Sequence, residues 1–465
     1  MTTSSKLTVS WRMSQPPVAA KSWHNWRDFV LSPSDNKLEA ALGWPAGTVA
    51  VLEQGFKLGL GRTLGWEVDG AVGEDHGLAA LQAAARVFRR GVAARHVGNT
   101  ALERVIQGTY DIAIVQQQPD LNDAATFYIL DGRVAALWPK LTMGPKRLVL
   151  TLDEHSKSLA SVAQILASPH AQKSARWCVV GGGLLTDVAA FAASLCSATV
   201  QFVPTTLLAM ADACVGGKTG VNFAPYGKNQ IGTFYFPSHV TIWPGWLATL
   251  PERELLGGAA ECLKHAFLLG DMVLAESLAA ALRQRDLTAL ATLLPAVIKL
   301  KVDVVTADPA ENGMRAILNF GHTLGHALEA YAHAHQSGAA ILTHGEAVGV
   351  GMVFALLLSS KYAGLKPLQC QELIEVLKAA GCVLSAAELG KRLGATDLAS
   401  SALRAALRAL MANDKKTMAP AGAERAEWIL LATPGVTARS SSGAWTTSLS
   451  LAVIDELWTD FLRVL

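Results

Sequence analysis

The sequence predicts an α/β protein in which a parallel-sheet domain over residues 101–245 is followed by an all-helical domain over 246–465. Three observations predict it. The chain has 465 residues, too many for one ordinary hydrophobic core. Between 101 and 245 short apolar runs alternate with helical ones, the pattern of a layered parallel sheet. Beyond Leu247 long Ala- and Leu-rich helical patterns take over and strand signals nearly vanish.

In order, TFYILD and RLVLTLD read as strands, SLASVAQIL as a helix, RWCVV as a strand, LTDVAAFAASL as a helix and VQFVP as a strand. The helical patterns that follow run from Ala259 to Leu269, Met272 to Arg283, Leu287 to Val305, Thr323 to Tyr331 and Glu346 to Tyr362. Two such domains leave a cleft, the expected place for cofactor and substrate. Residues 1–100 form an N-terminal extension of unknown role. It is broken early by Pro16, Pro17, Pro33 and Pro45, has a helix-like stretch from Leu78 to Val92, and carries His76 in a loop without a partner pattern. The Ser/Thr-rich piece from Arg439 to Ser450 reads as a surface loop.

Half of the residues are hydrophobic, 17% are charged and the net charge is +2. That balance gives no reason to expect nucleic acid or an acidic membrane as partner. The six cysteines form no CxxC pair, so buried reduced thiols are expected. The first residues lack the apolar core of a secretory signal, and the longest apolar run, Ala347 to Leu358, is too short to span a bilayer. A cytoplasmic location is expected.

Two local patterns carry chemistry. Gly181, Gly182 and Gly183 lie between a strand and a helix, where backbone can approach a diphosphate beside a helix N-terminus. A tight structural turn reads almost as well, and Pro204-Thr205-Thr206, closing the next strand, adds hydroxyl donors. The second pattern is Glu261 in GGAAECLKHAFL, His322 and His326 one helical turn apart in NFGHTLGHALEA, and His344 in THGEAV. One carboxylate with two or three imidazoles from separate helices makes a zinc site with a position left for substrate. Glu346 and Glu329 are candidates for orienting those imidazoles, although exposure is the simpler expectation for Glu329. In the same stretches lie Lys218, Lys228, Lys264, Lys301, Arg315 and the pair Lys415-Lys416, several of them among glycine, asparagine and apolar residues; Lys218 and Lys228, in glycine-rich turns ten residues apart, look placed to meet an anionic ligand.

Taken together, EHSK (154–157), GGGLLTDVAAFAAS, VPTTLLAMADACVGGKTGVN, GKNQIGTFYFP, TLPEREL, AAECLK, RAILNFGHTLGHALE, HGEAVGVGM and NDKK resemble the dehydroquinate synthase family of sugar phosphate cyclases. The resemblance covers about three quarters of the chain, and the motifs occur in family order. It implies a Rossmann-like NAD-binding domain followed by a helical metal- and substrate-binding domain. It implies zinc, or another divalent metal such as cobalt, on Glu261, His322 and His344. It implies NAD beside Asp131, Glu154, Lys157, Gly181, Gly182, Gly183, Asp187, Thr205, Thr206, Thr249 and Leu250. Lys218, Lys264, Lys301, Asn319 and His326 match catalytic positions. Asp212, Lys228, Asn229, Arg315 and Lys415 match substrate-binding ones, with Lys416 an alternative to Lys415. The implied reaction is that of a phosphate-eliminating lyase. It turns 3-deoxy-D-arabino-heptulosonate 7-phosphate, a small phosphorylated sugar acid, into 3-dehydroquinate of the shikimate pathway, with NAD oxidising the substrate transiently. A homodimer is also implied.

The chain departs from the family at Leu195 to Gln201. There it reads LCSATVQ, where the family carries an Arg-Gly pair whose arginine reaches the neighbouring subunit's substrate phosphate. Loss of that bidentate ligand points to weaker phosphate binding or a different sugar phosphate, such as sedoheptulose 7-phosphate. An iron-type polyol dehydrogenase shares the two-domain plan, but Glu261 and the lysines argue against it. An inactive binding homologue is the non-enzymatic alternative.

Overall fold

The computed structural model describes residues 5–14, 105–172, 175–223, 227–336, 341–412 and 424–465. The expected helix from Leu78 to Val92, His76, Lys415 and Lys416 lie outside these residues. The chain divides into two compact units, Met1–Thr205 with Ala213–Gly245, and Thr206–Asp212 with Trp246–Leu465.

The first unit is built on a seven-stranded sheet. Its strands are β1 (Ser5–Ser14), β2 (Val105–Ile114), β3 (Thr126–Asp131), β4 (Arg147–Leu150), β5 (Arg176–Gly181), β6 (Thr199–Pro204) and, after the small hairpin of β7 (Val221–Phe223) and β8 (Gly227–Ile231), β9 (His239–Ile242). The order across the sheet is β1-β2-β9-β6-β5-β3-β4. The six strands from β2 to β4 pair in parallel, and β1 adds an antiparallel edge along all ten residues of β2. Part of the expected N-terminal extension thus belongs to this sheet.

Central strands of a sheet covered on both faces need apolar side chains on both. That is why TFYILD and RWCVVG are buried almost throughout. Helices α1 (Gly132–Leu137), α2 (Leu159–Leu166) and α3 (Gly183–Cys196) follow β3, β4 and β5. The expected strand RLVLTLD is shorter than its apolar pattern suggests: pairing with β3 stops at Leu150, and Thr151–Asp153 runs on as loop.

The register brings the ends of β3, β4, β5 and β6 to the carboxyl edge of the sheet. Asp131 pairs with Leu150, Gly181 pairs with Pro204, and the Thr205 amide donates to the Gly181 carbonyl at 3.0 Å. Ligands of open parallel sheets bind at this edge.

The second unit is helical apart from short strands. Its helices are α4 (Glu252–Leu269), α5 (Met272–Arg283), α6 (Leu287–Ala307), α7 (His322–His335), α8 (His344–Tyr362), α9 (Pro367–Ala379), α10 (Ala386–Leu393), α11 (Ser401–Ala412) and α12 (Val453–Val464). The expected surface loop from Arg439 to Ser450 is corrected in part. Thr447–Ser450 is a strand paired antiparallel with Arg425–Trp428, because hydroxyl side chains suit a half-exposed pleat.

Helix α8 is buried along most of its length, and glycine lets its neighbours approach closely. A Cβ added to Gly345 would lie 2.2 Å from the Gly257 Cα of α4, and one on Gly351 would lie 2.0 Å from the Gly321 carbonyl oxygen at the start of α7. These two contacts draw α4, α7 and α8 together. Phe354 of α8 also stacks edge-on against Phe461 of α12, 5.3 Å between centroids. Helix α6 starts on Asp286, whose carboxylate accepts from the Thr288 and Ala289 amides at 3.0 and 2.9 Å. Replacing that cap, Asp286→Ala, should cost about 1 kcal/mol in urea unfolding.

All six cysteines are buried and free. Burial pushes the Cys178 and Cys382 thiols up to about 12, so they stay protonated at neutral pH. Among the described residues no helix is long and apolar enough to cross a membrane.

Candidate active site

The second unit assembles an acid–histidine cluster from three helices. Glu261 lies two turns into α4, His322 opens α7 and His344 opens α8. Glu261 Oε1 is 3.5 Å from His322 Nε2 and 3.6 Å from His344 Nε2. One ligand atom from each residue lies within 4.8 Å of the others. Gly321, at φ 80°, makes the left-handed turn that lets α7 begin with His322.

The donor chemistry fits a cation. His322 Nδ1 faces the Phe320 carbonyl oxygen at 3.1 Å. A carbonyl can only accept, so Nδ1 carries a proton, which leaves Nε2 as the ring nitrogen facing Glu261. Glu261 is 1% exposed, and its Oε1 has no hydrogen-bond partner. Imidazole nitrogens around a buried carboxylate oxygen with no hydrogen-bond partner are an arrangement that a metal ion satisfies.

Burial alone would raise the Glu261 carboxyl, but Lys264 first and then His322 hold it far below the usual carboxylate range. Burial works against a charged His344, yet Glu329 and Glu261 outweigh it and carry its pKa up to about 10. Glu329 is therefore not the exposed residue expected: it is 6% exposed and meets His344 Nδ1 at 3.3 Å. Glu346, the other candidate for orienting an imidazole, instead bonds Arg253 and caps its own helix. The His326 ring stands 5.2 Å from that of His322 and 5.9 Å from that of His344.

Cations surround this centre. Lys264, 1% exposed, is bonded to Glu261 Oε2. Lys301 of α6 donates to Asp212 Oδ1 at 2.5 Å. Asp212 sits in a single π-turn, Ala209–Ala213, a backbone irregularity common at functional sites. His265 Nε2 stands 3.7 Å from the same oxygen, and its Nδ1 meets the Val297 carbonyl at 3.2 Å. Asp212, Glu261 and His265 thus form a second acid–histidine group. Lys301 and Lys264 already pair with its carboxylates, which makes it the poorer place for a metal. Arg315, fully buried, donates to the Pro309 carbonyl at 2.6 Å. Asn319 reaches Glu311 at 3.5 Å, Thr249 donates to Trp246 at 3.2 Å, and the Thr206 hydroxyl accepts from the Ala209 amide at 3.2 Å. Leu250 offers its carbonyl to Arg285 at 2.9 Å.

The first unit gathers a second polar set. Lys157 Nζ bridges Asp187 at 2.7 Å and Asn229 at 2.6 Å. Asn222, which the sequence did not single out, donates to Glu154 Oε1 at 2.8 Å and accepts from the Asn229 amide at 2.9 Å. Lys228 lies 3.5 Å from Glu154, whereas Lys218 is exposed beside Phe234, to which its backbone is bridged. Asp131 caps α1 through the Arg133 and Val134 amides.

The glycine turn has the character of a cradle. Gly182 is the N-cap of α3 with no side chain capping it. A Cβ on Gly181 would meet Leu185 at 2.9 Å and Asp131 at 3.1 Å, and one on Gly183 would meet Ala213 at 3.2 Å. A glycine-lined helix start of this kind suits a diphosphate.

Comparison with known proteins adds to this geometry. Residues 147–257 match the N-terminal domain profile of 3-dehydroquinate synthase, and residues 258–417 match its C-terminal one. A 3-dehydroquinate synthase of Methylacidiphilum infernorum is 39% identical over 254 residues, covering 53% of this chain and 68% of that one. Another, from Saccharophagus degradans, is 41% identical over 251 residues, covering 52% of this chain and 67% of that one. Among solved structures, 2-epi-5-epi-valiolone synthase of Streptomyces hygroscopicus subsp. jinggangensis, with NAD+ and Zn2+ bound, is 24% identical at a TM-score of 0.61, covering 79% of this chain and 99% of that one. A 2-deoxy-scyllo-inosose synthase complexed with carbaglucose-6-phosphate, NAD+ and Co2+ is 23% identical at 0.58, covering 77% and 98%. The fold is that of the sugar phosphate cyclases. With two adjoining domain profiles matched and relatives near 40% identity, the chain belongs to the 3-dehydroquinate synthase family.

Proposed function

We propose that this chain is a 3-dehydroquinate synthase. It converts 3-deoxy-D-arabino-heptulosonate 7-phosphate to 3-dehydroquinate and phosphate, acts as a homodimer, and uses NAD with zinc or cobalt. The observation that carries this reading is the buried Glu261 oxygen facing His322 and His344, with Lys264 and Lys301 close by. When bound, the metal supplies Lewis acidity and NAD a hydride acceptor that is restored within each cycle.

The protein supplies position and charge. Glu261, His322 and His344 hold the metal, with Glu329 and the Phe320 carbonyl fixing the two imidazoles from behind. Glu154, Lys157, Asp187 and the glycine turn hold NAD, together with Asp131, Thr205, Thr206, Thr249 and Leu250. Lys157 is fastened at both sides, which keeps its ammonium in place as ligand enters. Lys264, Lys301 and Arg315 bind the oxyanions of the substrate, and Asp212 orients Lys301. By resemblance, Lys218, Lys228, Asn229 and Lys415 also act on the substrate. His326 moves a proton and Asn319 orients the substrate.

The segment LCSATVQ supports a second reading, a cyclase for another phosphorylated sugar. Helix α3 ends at Cys196, Ser197 takes a left-handed turn and β6 begins at Thr199, so no arginine is presented there. The test offers the zinc- and NAD-loaded protein the heptulosonate phosphate and, in parallel, sedoheptulose 7-phosphate. Phosphate release with dehydroquinate formation from the first alone is expected. Release from the second alone moves the assignment to the other cyclase, and release from neither defeats both.

A further inference from the structure

We propose that Arg253 is a positioning residue for the metal centre, acting through a three-step contact between α4 and α8. The inference rests on the metal assignment above. Arg253, Gly257 and Glu261 are spaced four apart and so share one face of α4. Facing them at the start of α8 are Glu346, Gly345 and His344, in that order.

The first step is an ion pair. Arg253 Nε donates to Glu346 Oε1 at 2.7 Å and its second prong to Oε2 at 2.6 Å, while that prong also bonds the Ile341 carbonyl. The second step is backbone contact, Gly345 on Gly257, with no room for a side chain on Gly345. The third is His344 Nε2 against Glu261 Oε1 at 3.6 Å.

Each step does something different. Two glycines in contact set how close the helices come, but with no side chains interlocked they resist neither sliding nor rotation. The planar, two-pronged bond supplies that resistance, since it is directional in a way a lysine contact is not. Glu346 also closes the capping box of α8, accepting from the Thr343 amide at 2.9 Å while its own amide meets the Thr343 hydroxyl at 3.4 Å. The turn that aims the His344 imidazole is therefore the turn Arg253 holds. Arg392 of α10 stands 3.5 Å from Glu346 and can keep its charge company.

The experiment is a zinc titration of the full-length protein against a chromophoric chelator. Wild type should bind one zinc and Glu261→Gln none; failure here defeats the metal assignment and not the clamp. Given binding, Arg253→Gln should weaken zinc about tenfold to a hundredfold, as loss of the groups behind metal ligands does. Glu346→Gln should match it, and the double variant should be no weaker than either single one. Arg253→Lys, which keeps the charge, should weaken zinc about threefold and covers the case in which Arg253→Gln does not fold. As control, Arg404→Gln breaks a surface pair with Asp455, 2.6 Å apart, and should leave zinc affinity unchanged. Wild-type affinity in the folded Arg253 variants, or additive losses in the double variant, would overturn the proposal.

Discussion

Lys301→Met is expected to lower kcat/KM about a hundredfold to a thousandfold and to destabilise the protein at the same time. Lys301 is 7% exposed and its ammonium lies on Asp212 Oδ1. Methionine fills similar space, so packing is kept and the charge is lost. Asp212, part-buried, is then left beside His265 with its nearest counter-charge removed, at a cost below the roughly 3–5 kcal/mol of breaking a fully buried pair from one side. The double variant Lys301→Met/Asp212→Asn should recover most of that stability and none of the turnover. That split would separate the proposed catalytic role of the ammonium from its structural one.

The loss should also depend on pH. Burial tends to raise the Asp212 carboxyl, but the Lys301 charge outweighs it and holds the carboxyl well below its ordinary value. A depressed carboxyl contributes stability above its unfolded pKa and loses it as pH falls through the folded one. Urea unfolding should therefore show the gap between wild type and Lys301→Met widest above about pH 4 and closing in stronger acid. A gap that is flat with pH would mean that lost packing, and not the unpaired carboxylate, explains the destabilisation.

What the sequence makes legible, and what it hides, follows from the range of each interaction. Period and turn chemistry are local, so β3, β5 and β6 and the long helices can be read directly. Their ends are less secure: α4 begins at Glu252, seven residues before the apolar pattern does, because its first turn is carried by Pro251, Glu252 and Glu254 and not by core side chains. The acid–histidine cluster is readable because its chemistry is uncommon, a carboxylate and histidines beside glycines on helices.

Long-range polar partners leave no such trace. Glu329 looks exposed on a helix rich in small residues, and only the crossing of α7 and α8 brings it to His344. Arg253 and Glu346 are 93 positions apart, and Asn222 and Glu154 are 68 apart. Nothing local marks either pair. His265 reads as an ordinary residue beside Lys264 until the fold puts Val297 and Asp212 on its two nitrogens.

Glu261→Gln is expected to remove the metal and, with it, detectable turnover, a loss of more than about a thousandfold. The substitution preserves shape, so its effect isolates the charge. An amide is a poor zinc ligand. It also leaves Lys264, 1% exposed and bonded to Glu261, without the carboxylate that compensates its burial. Two losses then add in the loaded protein. One is the stability that metal confers by binding only the folded chain, about 3–4 kcal/mol when metal exceeds its dissociation constant several hundredfold to a thousandfold. The other is the unpaired ammonium, again about 3–5 kcal/mol. Thermal unfolding with and without a chelator separates them. Wild type should lose part of its Tm on stripping and regain both Tm and turnover when zinc or cobalt returns. Glu261→Gln should start below stripped wild type and respond to neither chelator nor metal. If metal raises the Tm of Glu261→Gln as much as that of wild type, the ion is held elsewhere and Glu261 is not a ligand.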